Sequence, residues 1–495
     1  MSSSKSSPKH GDKVSFKVVS PFDMFYQITY MSAMAAAGIS RSKTFLIAAQ
    51  SSSTAAEYFA AINTLVEEFR FDYPEACRRI GGKAKSDNMR SFLLRLSDAL
   101  RSGEPLADFL AREAEVQGVD YENKYERNLE ALKQWSNAFS SIVISVALIV
   151  IIQVISSMLY SVNKASMTGM IGAGLLMSGF GAWIIWRSAP QEVMTVSLAE
   201  GSAEQVLMLR LFRTTVPIGM AVCSMLFLLG IPTGWIFMAF ALFMLPLGIT
   251  SLKSDKKVGK KDEEFSTFLR STGGMATSSG TTLKQALTKI DLTSFPTLQA
   301  DIDRLSTRLQ ALVEPDMCWH KFGLETGSKL ISEVIDIFYS AIKIGGDPER
   351  VGYLCSLFTA KTSQLRAKRK LIGGTFAGLT TVMQTVVAGI MVFVLSIVTS
   401  FAHLVETLMP TSEAAVDGQS SMNMSLINLT ASDIQFLSML TIMMIVSLAV
   451  VGAAAIIFSD GGTKLKVSFY LAISMFVSGL SFLFVPGMVQ GILKA

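Results

Sequence analysis

Charged residues are scarce in this chain. Of its 495 residues, 17% are charged and 50% are hydrophobic, and the mean hydropathy is +0.43. A soluble protein usually has about 25% charged residues, so this composition predicts a membrane protein. The formal net charge is only +5, and the basic residues lie beside apolar segments. That arrangement favours a role in membrane orientation and argues against nucleic-acid binding.

The residues that metal and catalytic sites need are also few. The chain has four cysteines without a close CxxC pair and three histidines, so no zinc site, disulfide framework or catalytic triad is indicated. No glycine-rich phosphate loop ends in Lys-Ser or Lys-Thr. We interpret Cys77 and Cys318 as small core residues, and His320 and His403 as ordinary residues of a soluble domain and a membrane interface. The sequence therefore predicts neither an enzyme nor a bound cofactor.

The N-terminal residues do not form a recognisable signal peptide. Residues 1–13 are polar and rich in serine and lysine, and no apolar core follows them. We expect these residues to form a disordered tail.

Long uncharged segments predict seven transmembrane helices, since about 20 apolar residues suffice to cross a bilayer. A turn at Gly230–Gly234 divides one of these segments into two spans. The uncharged segments are 134–163, 165–186, 214–252, 371–402, 434–459 and 467–493. The charged remainder predicts an all-α cytoplasmic domain at 14–133 and a second one at 253–370. Spans one to four then lie within 134–252, and spans five to seven within 371–495.

Lysine and arginine next to the spans predict that the N-terminus is cytoplasmic. The residues expected to flank the second domain on the cytoplasmic side are Lys253, Lys256, Lys257, Lys260, Lys261, Arg366, Lys368, Arg369 and Lys370. The loop 403–433 has neither lysine nor arginine and is expected outside. It contains two possible N-glycosylation sites, at Asn423 and Asn428, although such triplets also arise by chance.

An internal repeat relates the two charged domains. In the first domain, 36 residues separate Gly38 from Pro74, and 29 separate Pro74 from Gly103. In the second, 35 residues separate Gly280 from Pro315, and 31 separate Pro315 from Gly346. Each domain then leads into a long apolar span. The order is parallel, which argues against the inverted repeats of many transporters.

Helix signals assign structural roles to the residues of the repeat. We expect Gly38, Gly103, Gly280 and Gly346 to end helices, where a positive φ favours glycine. Pro105 and Pro348 should begin the next helices, each after an acidic residue that favours the positive end of the helix dipole.

Other local patterns predict helix boundaries. Ser20-Pro21-Phe22-Asp23 and Thr54-Ala55-Ala56-Glu57 are typical of helix starts, and a helix is expected over 87–102. The helix after Pro105 is expected to reach about Lys133.

The duplicated all-α domains, with Gly-Glu-Pro at 103–105 and Gly-Asp-Pro at 346–348, resemble type II secretion system F domains. Two such domains, interleaved with four and then three spans, resemble the archaeal branch of type IV filament platform proteins. This resemblance implies a non-enzymatic protein of the cytoplasmic membrane. It implies coupling of a hexameric secretion ATPase to insertion of pilin-like or archaellin-like subunits, and a homodimer.

The resemblance also leads to a candidate contact with the ATPase. We expect Asp347, Glu349 and Arg350 to be exposed at the second domain's turn, and Glu104 to be the corresponding residue of the first domain. A simpler interpretation of the neighbouring basic runs is that they only set the topology and attract anionic lipid. The alternative functions are a transporter or permease, which the lack of ionisable residues within the spans disfavours, and a receptor-like signal transducer, for which no output domain is visible.

Overall fold

The computed structural model describes residues 16–159, 164–199, 201–408 and 431–494. Within these ranges the chain forms sixteen α-helices, two short 3₁₀ turns and no strand. The helices are α1 Pro21–Ala36, α2 Arg41–Ala49, α3 Ala56–Glu67, α4 Tyr73–Gly82, α5 Asp87–Ser102, α6 Leu106–Leu159, α7 Lys164–Ser188, α8 Ala203–Leu228, α9 Thr233–Ser278, α10 Leu283–Lys289, α11 Gln299–Gln310, α12 Pro315–Glu325, α13 Lys329–Lys343, α14 Pro348–Leu408, α15 Ala431–Asp460 and α16 Val467–Lys494. The predicted all-α class is confirmed.

Seven helical segments are long and apolar enough to cross a membrane, as predicted. They are Leu106–Ser156, Lys164–Ser188, Ala203–Leu228, Thr233–Ser278, Pro348–Leu404, Asp433–Asp460 and Lys464–Gly491. The expected tail at 1–13 lies outside the described residues. So does most of the loop 403–433, including Asn423 and Asn428.

The chain divides into two compact units. Unit 1 contains the described residues up to Tyr125, together with Lys261–Gly323 and Leu330–Gln364. Unit 2 contains Glu126–Lys260, Leu324–Lys329 and the residues from Leu365 onwards. Helices α6, α9 and α14 each contribute residues to both units. The predicted joints at 133/134, 252/253 and 370/371 therefore fall inside continuous helices rather than in linkers.

The repeat is visible as matching helices within unit 1. Helices α3, α4 and α5 have 12, 10 and 16 residues, and their counterparts α11, α12 and α13 have 12, 11 and 15. Arg70 and Leu312, at the corresponding turns before α4 and α12, both have a positive φ. This conformation is uncommon for residues other than glycine. The two modules thus share details of the backbone that the sequence pattern did not include.

Buried aromatic and aliphatic side chains hold each module together. Phe45, Tyr58 and Phe92 lie in the core of the first module, and Trp319 and Phe338 lie in the core of the second. Each of these large side chains contributes roughly 1.5–3 kcal/mol by leaving water. These apolar cores account for the folding of short helices that would be marginal alone.

Cys77 and Cys318 are buried, as expected of small core residues. Burial raises the pKa of the Cys77 thiol to about 12 and also raises that of Cys318. A thiol with a raised pKa is a poor nucleophile.

Three local predictions were wrong. The helix after Pro105 does not end near Lys133, because α6 continues through the first apolar span to Leu159. The helix after Thr54 has Ala55 rather than Thr54 at its N-cap, because the Thr54 hydroxyl donates instead to the Asp23 carboxylate at 2.6 Å. In the second module the positive φ belongs to Gly345, at 102°, and not to Gly346. Other local predictions are confirmed. The Ser20 hydroxyl oxygen accepts a hydrogen bond from the Asp23 amide and so caps α1, and α5 begins and ends as predicted.

Candidate functional site

The structure brings the two duplicated turns of unit 1 close together. Asp108, in the first turn of α6, lies 3.9 Å from Arg350, in the first turn of α14. Both side chains are at least half exposed. The starts of α6 and α14 therefore form one surface, which we call the paired-turn surface and define by Glu104, Asp108, Asp347, Glu349 and Arg350.

Gly346 allows the second module's turn to lie close to the end of α1. A Cβ atom at Gly346 would lie 2.9 Å from the Cβ of Ala37 and 2.7 Å from the carbonyl oxygen of Ala341. Contacts below 3.0 Å are essentially never seen for real Cβ atoms. Glycine is needed at 346 for space, whereas at 345 it is needed for its positive φ. The turn of the second module thus packs against the end of α1.

Asp347 has a structural role at the start of α14, as the sequence predicts, and also a contact with α9 that the sequence did not indicate. Its carboxylate accepts hydrogen bonds from the hydroxyl of Thr277 at 2.9 Å and from the amides of Glu349 and Arg350 at 3.3 and 3.4 Å. It therefore caps α14 and ties the start of that helix to the end of α9. Glu349 and Arg350 are exposed and have no capping role, so they are better placed than Asp347 to contact a partner.

The side chain of Glu104 is 28% exposed and forms an ion pair with Arg112, in the second turn of α6. Gly103 ends α5 with a φ of 76°, so the backbone turns sharply before Pro105. Gly38 and Gly280 also have positive φ, at 75° and 55°. Each of these glycines follows a helix end, as the repeat predicts.

The second basic run, Arg366–Lys370, is bound within the protein. The contacts of this run that are described below lie within unit 2. The buried Arg366 donates to Glu192 at 2.9 Å, and the exposed Lys368 pairs with Glu126. Lys370 lies 3.4 Å from the carboxylate of Asp255 on α9. Successive residues of one helix turn thus reach different neighbouring segments.

Arg369 is the most enclosed member of this run, at 3% exposure. Its guanidinium donates to the carbonyl oxygens of Phe458 and Ser459 at 3.0 Å, at the end of α15, and to that of Pro190 at 2.8 Å, just after α7. A helix end leaves carbonyl groups without partners, and a planar cation with several donors satisfies them well. Arg369 therefore fastens α14 to the ends of two other helices.

Arg366, Arg369 and Lys261 are buried, so their side chains contact protein and not lipid. That these residues flank the membrane on the cytoplasmic side stays a prediction. Lys261 is buried and pairs with the equally buried Asp301 at 2.7 Å. A charge that is out of water needs such a partner. Lys253, Lys256 and Lys260 do remain exposed on α9, and Lys257 pairs with Glu204 at the surface.

The connection between α7 and α8 is a feature that the sequence did not reveal. Residues 194–196 run beside the turn 324–329 of unit 2, where Thr195 forms a bridge with Ser328. The fully buried Gln205 donates to the carbonyl oxygen of Gly327 at 3.0 Å. In the sequence, Gln205 is a glutamine in a charged segment. Glutamines in such segments are common, so nothing in the sequence indicates that this one is buried.

No group of three or more metal-ligating side chains occurs in the part of the chain that the structure describes.

The architecture defines the class: an all-α, multi-pass membrane protein with two parallel copies of a helical module. Residues 28–154 match the family model described as type II secretion system protein F. This part of the chain is therefore similar to that family.

Two relatives share the name flagella accessory protein J. The one from Methanocaldococcus jannaschii is 27% identical over 317 residues, which cover 62% of this chain and 56% of the relative. The one from Methanococcus voltae is 24% identical over 337 residues, covering 65% and 60%. The alignments thus span less than two thirds of either relative's length. No solved structure matches the chain. Over the aligned residues, the chain is similar to these two archaeal proteins.

Proposed function

We propose that this protein is a membrane platform for assembly of an archaeal type IV filament. The homology to flagella accessory proteins J carries the proposal, and the F domain and seven apolar helices support it. In this role the protein couples a cytoplasmic secretion ATPase to insertion of pilin-like or archaellin-like subunits, and it acts as a homodimer. We propose no catalytic role for the chain itself.

We further propose that the ATPase docks on the paired-turn surface. Both modules contribute to this surface, and its side chains at Glu349 and Arg350 are exposed. Helices α6 and α14, which begin there, continue as apolar segments of membrane-spanning length. A push at the start of either helix would therefore be applied to a helix that also enters the bilayer.

A charge-reversal experiment tests this contact. Glu349→Arg combined with Arg350→Glu inverts two exposed charges and leaves the Asp347 cap in place. We expect the full-length variant, in lipid nanodiscs, to bind the purified ATPase at least about tenfold more weakly, since close charge pairs at interfaces are coupled by about 1.5 kcal/mol or more. Asp72→Lys, at the exposed surface before α4, is the control. Unchanged ATPase binding by the double variant would contradict the proposed contact.

The orientation is also a proposal, with the N-terminus and both modules in the cytoplasm. In a chain with Cys223→Ala, a cysteine introduced at Ser420 should react with a membrane-impermeant maleimide on intact cells. A cysteine at Ser306 should react only after lysis. Labelling at Ser306 in intact cells would reverse the topology.

A further inference from the structure

Two arginines on α8 have no partner among the residues that the structure describes. The side chains of Arg210 and Arg213 are exposed, and neither guanidinium forms a hydrogen bond or an ion pair with a described residue. The two residues are three positions apart, so they lie on the same face of the helix. The depth of this face along the span decides whether the two charges meet water or lipid.

Contacts between α8 and α9, both within unit 2 here, establish this depth. A Cβ atom at Gly219 on α8 would lie 3.0 Å from the Cβ of Phe243 on α9, so these two residues lie at the same level. Nearer the charged ends of the two helices, Glu204 pairs with Lys257 at 2.8 Å. The two contacts are 15 residues apart on α8 and 14 apart on α9. The helices are therefore antiparallel and in register over this length.

The register places Arg213 deeper in the membrane region than the exposed lysines of α9. Lys253 is the first exposed charge after the apolar part of α9. It lies ten residues beyond Phe243, which is the level of Leu209 on α8. Arg210 follows directly after Leu209, whereas Arg213 lies about four residues deeper, or ~6 Å at 1.5 Å per residue.

The start of α16 marks the same level as Lys253. A Cβ atom at Gly248 on α9 would lie 2.9 Å from the Cβ of Phe469 on α16. Five residues from each of these positions, towards the charged ends, lie Lys253 and the exposed Lys464. Lysines are common where a membrane helix meets the aqueous boundary. Arg213 therefore lies inside the boundary that these two lysines mark.

The carboxylates beside these arginines, on α8, on α9 and before α16, are already paired. Glu204 pairs with Lys257, and the buried Asp255 and Asp460 both pair with the buried Lys466. The other exposed charges on these segments near the boundary are Lys253, Lys256, Lys260 and Lys464. The local charge is therefore positive, and an anion from outside the chain would complement it.

The surface of α8 below the arginines is apolar and open. Of the seven apolar spans, α8 is the least enclosed by the described parts of the protein. Ile218, Met220 and Met225 are 53%, 62% and 61% exposed, further from the boundary than Arg213. A ligand at the arginines that also has apolar chains would continue over this surface.

We propose that Arg210 and Arg213 bind the phosphate group of an anionic phospholipid, whose acyl chains lie along α8. Helical side chains lean towards the N-terminus of their helix, which for α8 is the boundary end, so Arg213 leans towards Arg210 and the lipid headgroups. The planar guanidinium group donates two parallel hydrogen bonds to phosphate oxygens. The proposal does not depend on the proposed role in filament assembly.

Native mass spectrometry of the full-length protein tests the site. The protein is released into detergent from nanodiscs with equal parts of phosphatidylcholine and phosphatidylglycerol, and is washed with increasing salt. We expect wild type to keep phosphatidylglycerol at salt concentrations that remove lipids held by exposed lysines, since charges out of water are screened less. Arg210→Gln with Arg213→Gln should weaken this binding about twenty-fivefold, because each basic residue contributes about fivefold.

Two further variants serve as controls. Replacing Lys253, Lys256 and Lys260 together by glutamine removes exposed charges at the boundary, so the salt-resistant lipid should remain. Arg213→Lys keeps the charge but not the paired donors, and should weaken binding of this lipid about fivefold. This variant also tests the site if the glutamine double variant does not fold.

Three results would overturn the proposal. The first is wild-type protein that keeps no salt-resistant lipid, or keeps phosphatidylcholine equally well. The second is undiminished lipid binding by the arginine variants, which would mean that the arginines meet another anion, such as a carboxylate of a partner helix. The third is equal loss from the arginine and lysine variants, because general surface charge would then hold the lipid.

Discussion

The basic run Lys253–Lys261 on α9 and the basic run Arg366–Lys370 on α14 are similar in sequence but differ in their surroundings. In the first run, Lys253, Lys256 and Lys260 are exposed. In the second, Arg366 and Arg369 are buried and bonded to other segments of unit 2. A cluster of positive charge beside an apolar span can therefore be either exposed or bound to other segments of the protein.

The difference follows the type of cation. The exposed run consists of lysines, each a compact and strongly hydrated charge on a flexible chain. The buried positions of the second run are arginines, whose planar group offers several donors and is less costly to remove from water. Lys261 is the exception, because it is a buried lysine at the end of the first run and depends on the buried Asp301.

The largest effect is expected from Asp301→Ala. This change leaves Lys261 buried without its main partner, and breaking such a pair typically costs about 3–5 kcal/mol. Faster hydrogen exchange in α9 and α11 would report the loss. Glu204→Ala, which breaks the exposed pair with Lys257, should cost at most about 1 kcal/mol. Similar exchange in both variants would show that Lys261 behaves like the rest of its run.

A smaller effect is expected from Arg369→Lys. The substitution keeps the charge, but one ammonium group cannot satisfy the carbonyls of Pro190, Phe458 and Ser459 together, so we expect a loss of about 2–3 kcal/mol. Thermal unfolding in nanodiscs and exchange at the end of α15 would measure it. Lys368→Ala, which removes an exposed pair, should change stability by less than about 1 kcal/mol. An Arg369→Lys variant as stable as wild type would mean that α14 is not fastened in this way.

The smallest effect on stability is expected from replacing Lys253, Lys256 and Lys260 together by glutamine. These side chains are exposed, so stability should change by less than about 0.5 kcal/mol. Retention of anionic lipid should fall, since each basic residue near an anionic surface contributes about 1 kcal/mol. Native mass spectrometry of the purified protein would count the retained lipids. If the variant retains as many anionic lipids as the wild-type protein, the exposed lysines of the first run do not bind lipid, and the proposed difference between the two runs is wrong.

The sequence predicted what depends on local chemistry and on hydrophobicity over long segments. Ser20 and Gly103 mark helix boundaries through capping and positive φ, and uncharged segments reveal the spans. The repeat was found because its glycines and prolines have fixed spacing. Caps and spans are properties of a single helix or turn, and the repeat is a property of spacing along the chain. None of these signals requires knowledge of the tertiary fold.

The rest depends on which segments meet in space. Nothing local to Arg369 shows that its neighbours are the ends of α7 and α15, and nothing local to Asp347 shows that Thr277 approaches it. Gly345 and Gly346 are adjacent glycines, and only the packing against Ala37 distinguishes them.

Filament formation in cells tests the central claim most directly. The gene should be deleted in the organism that encodes it, and surface filaments counted by electron microscopy with and without a plasmid copy of the wild-type gene. The account predicts that the deletion strain makes the filament subunit but builds no filaments, and that the plasmid copy restores them. Filaments at the wild-type number in the deletion strain would contradict the assignment of this protein as an assembly platform.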